Sequence, residues 1–273
     1  MMRIAVYQAR SGIDPVANAA ALVAAVEEAA AGGAGILFTP EMSGLLDSDR
    51  QRAGKAIRPE EHDEVLTAVR RAAKAHGIWV QLGSLALKGR SDKFANRAFL
   101  IDGDGEIRGR YDKIHLFDVD LPTGESWRES AVYEGGRRAV LIRDTPVGTL
   151  GLTICYDIRF PALFERLAEA GAELIAVPAA FTVPTGKAHW EILLRARAIE
   201  SGLFIVAAAQ GGEHEDGRRT YGHSLVIDPW GEVLLDAGEA GGVHFADIDL
   251  ARIAEVRSRV PALKHRKPIA PVD

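Results

Sequence analysis

The chain has 273 residues, of which 47% are hydrophobic and 26% charged, with a formal net charge of -5; this is ordinary globular composition, and the charge argues against a nucleic-acid partner, which would want a basic face. No apolar run reaches the roughly 18 residues of a membrane span, so no membrane partner is expected. The N-terminus lacks the pattern of a secretory signal, and one cysteine forbids an internal disulfide, so the expected compartment is cytoplasmic.

Short apolar, β-branched runs alternate with helical patterns. The spacing predicts a strand over 3–8 and an alanine-rich helix over 16–31, with Asp14 as N-cap, Pro15 at the first helical position and Gly32-Gly33 as the stop. A short buried strand over 36–39 follows and ends at Pro40-Glu41. A second helix fits 59–76, with Gly77 ending it, and the next strand is 78–86. Strands over 96–101 and 106–111 flank Asp102-Gly103-Asp104-Gly105, a hairpin signal. Periodicity then fails from 112 to 136, which reads as a long functional loop.

Strands over 139–143 and 148–154 come next, then a helix from Pro161 to 170 that Gly171 stops. A strand over 173–178 leads to a helix over 187–200 and an apolar strand over 203–208. Strands over 224–228 and 232–235 flank a second hairpin at Pro229-Trp230-Gly231. The pattern closes with a strand over 243–248 and a helix over 251–259. The alternation predicts an α/β fold with mixed sheets whose faces are covered. Two similar halves are possible, and the chain is expected to form a single domain over 1–273.

Three positions invite chemistry. Cys155 sits where a strand ends and a helix soon begins, a turn that holds a side chain out from a sheet. Nearby helix amides would favour its thiolate; a small buried hydrophobe is the alternative. Glu41, at the C-terminal end of a buried strand, is a candidate general base or else a solvated glutamate. Lys113, among apolar and aromatic neighbours, is a candidate fixed cation or else a snorkelling surface lysine. A Cys155–His115 dyad is conceivable. His189 fits a helix start and the run around His214 a solvated loop. Neither histidine has a partner at metal-ligand spacing, so no metal is expected. No phosphate-loop or dinucleotide pattern occurs, so no nucleotide cofactor is expected either.

Taken in chain order, Pro40-Glu41-Met42, then Tyr111-Asp112-Lys113-Ile114-His115-Leu116-Phe117, then Gly151 through Cys155 to Pro161 resemble the nitrilase superfamily of carbon–nitrogen hydrolases. The similarity continues through Pro178 to Thr182, Thr185 to Glu191, Arg195 to Glu200, Tyr221 to Ser224 and Asp228 to Gly231. It implies a Glu-Lys-Cys triad of Glu41, Lys113 and Cys155, with Glu129 as a second carboxylate that orients Lys113. It implies a four-layer α-β-β-α sandwich, paired in a homodimer or higher homo-oligomer, and no cofactor. The implied activity is hydrolysis of a small carboxylate-bearing amide through a cysteine thioester. The stretch 207–214 resembles the branch acting on deaminated glutathione more than the ω-amidase branch; N-carbamoyl amines remain a further substrate class. A non-catalytic interaction protein on the same fold is the alternative from another class. Tyr156, through its backbone N–H, is expected to help hold the oxyanion. Arg159 is expected to bind a substrate carboxylate, or else to pair with Asp157 or Glu165. Phe181 and Thr185 are pocket candidates by resemblance. The family often has a basic pair where this chain has Asp112-Lys113. Neighbours in an extended segment point opposite ways, so the acid need not disturb the cation.

Overall fold

The structure, a computed structural model, describes residues 1–89, 91–120, 124 and 126–270. The first half begins with β1 (Met2–Gln8) and α1 (Pro15–Ala31), whose N-cap Asp14 accepts a hydrogen bond from the Val16 amide. After β2 (Ile36–Phe38) comes α2 (Arg50–Ala56), capped by Asp49. This helix buries only Ala53, so it has no apolar stripe from which to read it. The helix expected over 59–76 is divided. Glu60–His62 form a 3-10 turn, and Asp63 then restarts the chain as the N-cap of α3 (Glu64–His76), accepting from the Leu66 amide. Gly77 ends α3 at φ +63°, a conformation that suits glycine.

β3 (Trp79–Lys88), β4 (Phe94–Ile101) and β5 (Ile107–Asp112) follow as a meander. The segment expected to lack periodic structure contains a small hairpin, β6 (Asp118–Asp120) with β7 (Ser126–Arg128), then a 3-10 turn at Glu129–Ala131 and β8 (Tyr133–Glu134). Positions 121–123 and 125 of that segment lie outside the described residues.

The second half runs β9 (Val140–Thr145), β10 (Gly148–Leu152), a 3-10 turn at Cys155–Arg159, α4 (Pro161–Glu169), β11 (Leu174–Ala176), α5 (Val183–Ser201) and β12 (Phe204–Ala207). α5 starts earlier than the expected 187. Pro184 fits the first helical turn, where a missing N–H is harmless. Gly186 is required there, because a Cβ on it would lie 2.2 Å from the Tyr221 ring. A second small hairpin, β13 (Gly211–Glu213) with β14 (Arg219–Tyr221), occupies the expected loop around His214. Last come β15 (Leu225–Ile227), β16 (Val233–Asp236), β17 (Gly242–Ile248), α6 (Ala251–Arg259) and α7 (Ala262–His265).

Two mixed sheets result, in orders β17-β1-β2-β3-β4-β5 and β16-β15-β12-β11-β10-β9, with β8 beside β4. In each, three parallel strands carry antiparallel neighbours on both sides. Alternation along β1 explains the layering. Ala5 packs with Leu22, Val26 and Val69 of α1 and α3. Ile4 and Val6 face the other way, joining Leu150, Leu174 and Phe204 of the second sheet and Phe164 and Trp190 of α4 and α5. The order of layers is α-β-β-α. Among the described residues, no helix is long and apolar enough to cross a membrane.

Candidate active site

Several loops leaving the C-terminal ends of strands meet between the sheets, where α/β folds place ligands. β2 ends at Phe38, and the turn after it carries Glu41. That turn is pinned by hydrogen bonds from Gln210 Nε2 to Glu41 O at 3.0 Å, from the Met42 amide to Ser84 Oγ at 3.0 Å and from Gly83 N to Thr39 Oγ1 at 2.9 Å. Lys113 follows the last residue of β5. Cys155 opens the 3-10 turn after β10 at φ +48°, a left-handed conformation rare without glycine. Its amide donates to Pro178 O at 2.8 Å. Strain of this kind persists only where surroundings over-determine it. Here Asp157, fully buried, accepts from the Ile154 amide at 2.9 Å, Tyr111 Oη at 2.6 Å and the His115 amide at 3.1 Å. Arg197 adds a bond from Nε to Ile158 O at 2.9 Å.

The charged side chains converge. Lys113 Nζ lies 2.8 Å from Glu41 Oε1 and 3.0 and 2.9 Å from the two oxygens of Glu129. Asn96 Nδ2 donates to Glu41 Oε1 at 2.9 Å and to Glu129 Oε1 at 3.3 Å. The Ala180 amide donates to Glu41 Oε2 at 3.0 Å, and the Phe117 amide to Glu129 Oε2 at 2.6 Å. Lys113, Glu41, Cys155 and Asn96 are all buried.

Burial acts against each charge, and neighbours decide the outcome. Burial alone would raise the Glu41 carboxyl. The Lys113 charge and hydrogen bonds from Lys113, Cys155 and Asn96 outweigh it and hold Glu41 below the usual carboxylate range. Burial alone would lower Lys113, but the charges of Glu129 and Glu41 keep it well above its ordinary value. Burial pushes the Cys155 thiol well above its ordinary range, with the Glu41 charge adding to the rise, against the opposing pull of Lys113 and the Ala180 amide. These directions favour a thiol beside a carboxylate and an ammonium.

Cys155, Glu41, Lys113 and Glu129 line one cavity of about 470 Å³, together with Tyr156, Phe181 and Thr185. Arg159 is not among its lining residues. Its guanidinium lies over the Tyr156 and Phe181 rings, at 5.9 and 5.7 Å, and Nη2 is 3.2 Å from His189 Nδ1. The guanidinium thus lies beside the cavity, against two of the rings that line it. Asp112 points away from Lys113 and pairs with Arg97 at 2.6 and 2.9 Å. His115 is engaged by Asp157 through Nδ1 at 2.7 Å and stacked on Phe160, rather than paired with Cys155. His214 is buried between Ser11 O and Thr220 Oγ1, not solvated, because the β13–β14 hairpin folds over it. His189 lies within α5 rather than at its start.

Sequence reasoning missed Asn96, the Ala180 amide and the cavity-lining Arg218 and Arg219. Asn96 left a trace: a poor strand former inside the apolar run 94–101. Ala180 left none, since a backbone amide has no residue signature.

A family model described as carbon-nitrogen hydrolase matches residues 3–258. The deaminated glutathione amidase of Yersinia enterocolitica is 42% identical over 240 residues, covering 86% of this chain and 82% of that protein. The solved structure of the Caenorhabditis elegans NitFhit protein superposes with a TM-score of 0.90 at 39% identity, covering 97% of this chain and 65% of that one. A point mutant of the amidase from Nesterenkonia sp. AN1, solved with the acetamide moiety of fluoroacetamide added to its active-site cysteine, gives a TM-score of 0.82 at 27% identity, covering 97% of this chain and 94% of that one.

Proposed function

The chain belongs to the carbon-nitrogen hydrolase family, hydrolases of non-peptide C–N bonds, and on that premise we propose that it is an amidase of deaminated glutathione, working through a thioester on Cys155. The observation that carries the reading is the convergence of Cys155, Glu41, Lys113 and Glu129 on one cavity, with Lys113 Nζ 2.8 Å from Glu41 Oε1 and 3.0 and 2.9 Å from the two oxygens of Glu129.

Glu41 takes the thiol proton as sulfur attacks the amide carbonyl, so the thiolate exists only where it reacts. Charge developing on the carbonyl oxygen is met by the positive charge of Lys113 and, in this reading, by the Tyr156 N–H. As the C–N bond breaks, Glu41 passes the proton to the departing amine. Water, deprotonated by Glu41, then cleaves the thioester and restores the thiol. Glu129 grips Lys113 with both oxygens and so fixes its direction and its charge. The Ala180 and Asn96 donors hold Glu41 so that its oxygens keep one orientation through both half-reactions. Phe181 and Thr185 form part of the acyl pocket.

We also propose a cytoplasmic homodimer. A reducing compartment keeps the lone thiol usable. Ile192 and Ile199, seven apart on α5, are exposed, as are Trp230 and Leu234 at and beyond the β15–β16 turn. Such a patch fits a second copy of the chain.

The test is mass spectrometry of enzyme quenched during turnover of deaminated glutathione. A 2-oxoglutaryl adduct on Cys155 is expected, with no adduct and no turnover in Cys155→Ala. Parent-rate hydrolysis by Cys155→Ala would sink the mechanism.

A further inference from the structure

The cavity holding Cys155 is also lined by Arg218 and Arg219, which enter and open β14. The hairpin carrying them is tied to the segment beside the thiol. Thr220 bridges Thr182, and the Tyr221 amide donates to Phe181 O at 2.9 Å. Both arginines are thus held at a fixed remove from the reacting centre.

Their side chains are under-used. Arg218 lies over the Trp127 ring at 4.9 Å and touches Asp216 at 3.3 Å. Its Nε, like Trp127 Nε1, is shielded from solvent without a hydrogen-bond partner. Buried donors left unpaired are costly, and in native proteins they commonly mark a place where something else binds or shifts. Arg219 is exposed, and its guanidinium has no ion pair or hydrogen bond among the described residues. By contrast the lining groups Arg128 and Asp47 are neutralised by Asp120 and Arg52, and Arg50, also on the cavity wall, donates from Nη2 to Arg128 O at 3.1 Å.

The direction of the reaction decides which part of a substrate meets them. The amine must leave while the acyl group stays on sulfur, and water enters only afterwards. The leaving fragment therefore faces the open end of the cavity, where Arg219 is exposed, and the acyl group faces the buried end at Lys113 and Glu41. Deaminated glutathione carries a carboxylate on each side of its scissile amide. We infer that Arg219, supported by Arg218, binds the carboxylate of the leaving fragment and makes the enzyme prefer a peptide-like leaving group to ammonia. The assignment rests on the amidase reading above. A guanidinium suits it, because two parallel N–H groups match a carboxylate.

The experiment compares two amides with the same 2-oxoglutaryl acyl group, deaminated glutathione and 2-oxoglutaramate, the second releasing only ammonia. For the parent protein, Arg219→Ala and Arg219→Lys, kcat/KM is measured on both, and the ratio between the two substrates is the readout. Loss of a charged hydrogen-bonding group predicts that Arg219→Ala lowers the ratio about tenfold or more, mainly through KM for deaminated glutathione. Arg219→Lys, which keeps the charge and loses the fork, falls between. An unchanged ratio, or equal losses on both amides, overturns the assignment while leaving the amidase reading intact. A parent protein inert on both amides overturns both.

Discussion

Asn96 adds a smaller contribution than Lys113 to holding Glu41 ionised, and it is the contribution a single substitution can reverse without removing the cation. One amide nitrogen touches two carboxylates that Lys113 alone would have to keep apart, and Asn96 Oδ1 has no partner. Asn96→Asp removes the donor and adds a third acid to a cluster with one cation. Both effects raise Glu41. Its carboxyl now sits below the ordinary range, so the base proposed above would act down to low pH. In the variant it holds its proton to higher pH, and the acidic limb of the kcat/KM profile moves upward. A limb left where it was would show that Asn96 only fills space. At this scale the sequence reveals residue types but not pairings. Cys155, Glu41 and Lys113 read from the sequence as a candidate nucleophile, base and cation, and the structure gathers all three in one cavity. That Arg159 lies over two rings depends on side-chain directions that no spacing encodes.

The elements that hold the cluster are strand ends, and one of them depends on a missing side chain. β3 passes so close to the turn after β2 that a Cβ on Gly83 would stand 2.0 Å from Thr39 O and 2.3 Å from Pro40 O. Gly83→Ala must push that turn, and with it Glu41. A loss of about 1–3 kcal/mol in stability is expected from such overpacking. Misplacing Glu41, the proposed base, should also cut kcat by roughly a hundredfold. Urea unfolding and steady-state kinetics would measure both, and a variant with parental kcat would show that the turn absorbs the insertion. Elements with a buried stripe and clear punctuation were legible: α1 between Asp14 and Gly32, α6 over 251–259, and the hairpin at Pro229-Trp230-Gly231. Those without one were not. α2 buries only Ala53, and the β6–β7 and β13–β14 hairpins have three residues per strand, too few for an alternation to register.

For the whole molecule, the repeated order of three parallel strands and antiparallel flanks bears on assembly. The layers could be anticipated from alternating strands and helices, but stacking one sheet on the other depends on contacts between distant halves, such as Ile4 with the strands of the second sheet. The exposed face of α5 leads to a prediction at this scale. Ile199→Asp combined with Trp230→Ala should convert a species of twice the chain mass into one of single mass in sedimentation velocity. A parent protein that already sediments as a monomer would remove the dimer. A further consequence concerns synthesis. β17 pairs with β1 across seven residues, Met2 with Ile248 through Gln8 with Gly242. During translation the first strand emerges more than two hundred residues before its neighbour. Until residue 248 clears the ribosome, one edge of the first sheet stays open and its inner face lacks a complete cover, so the nascent chain carries a sticky border that chaperones are suited to guard.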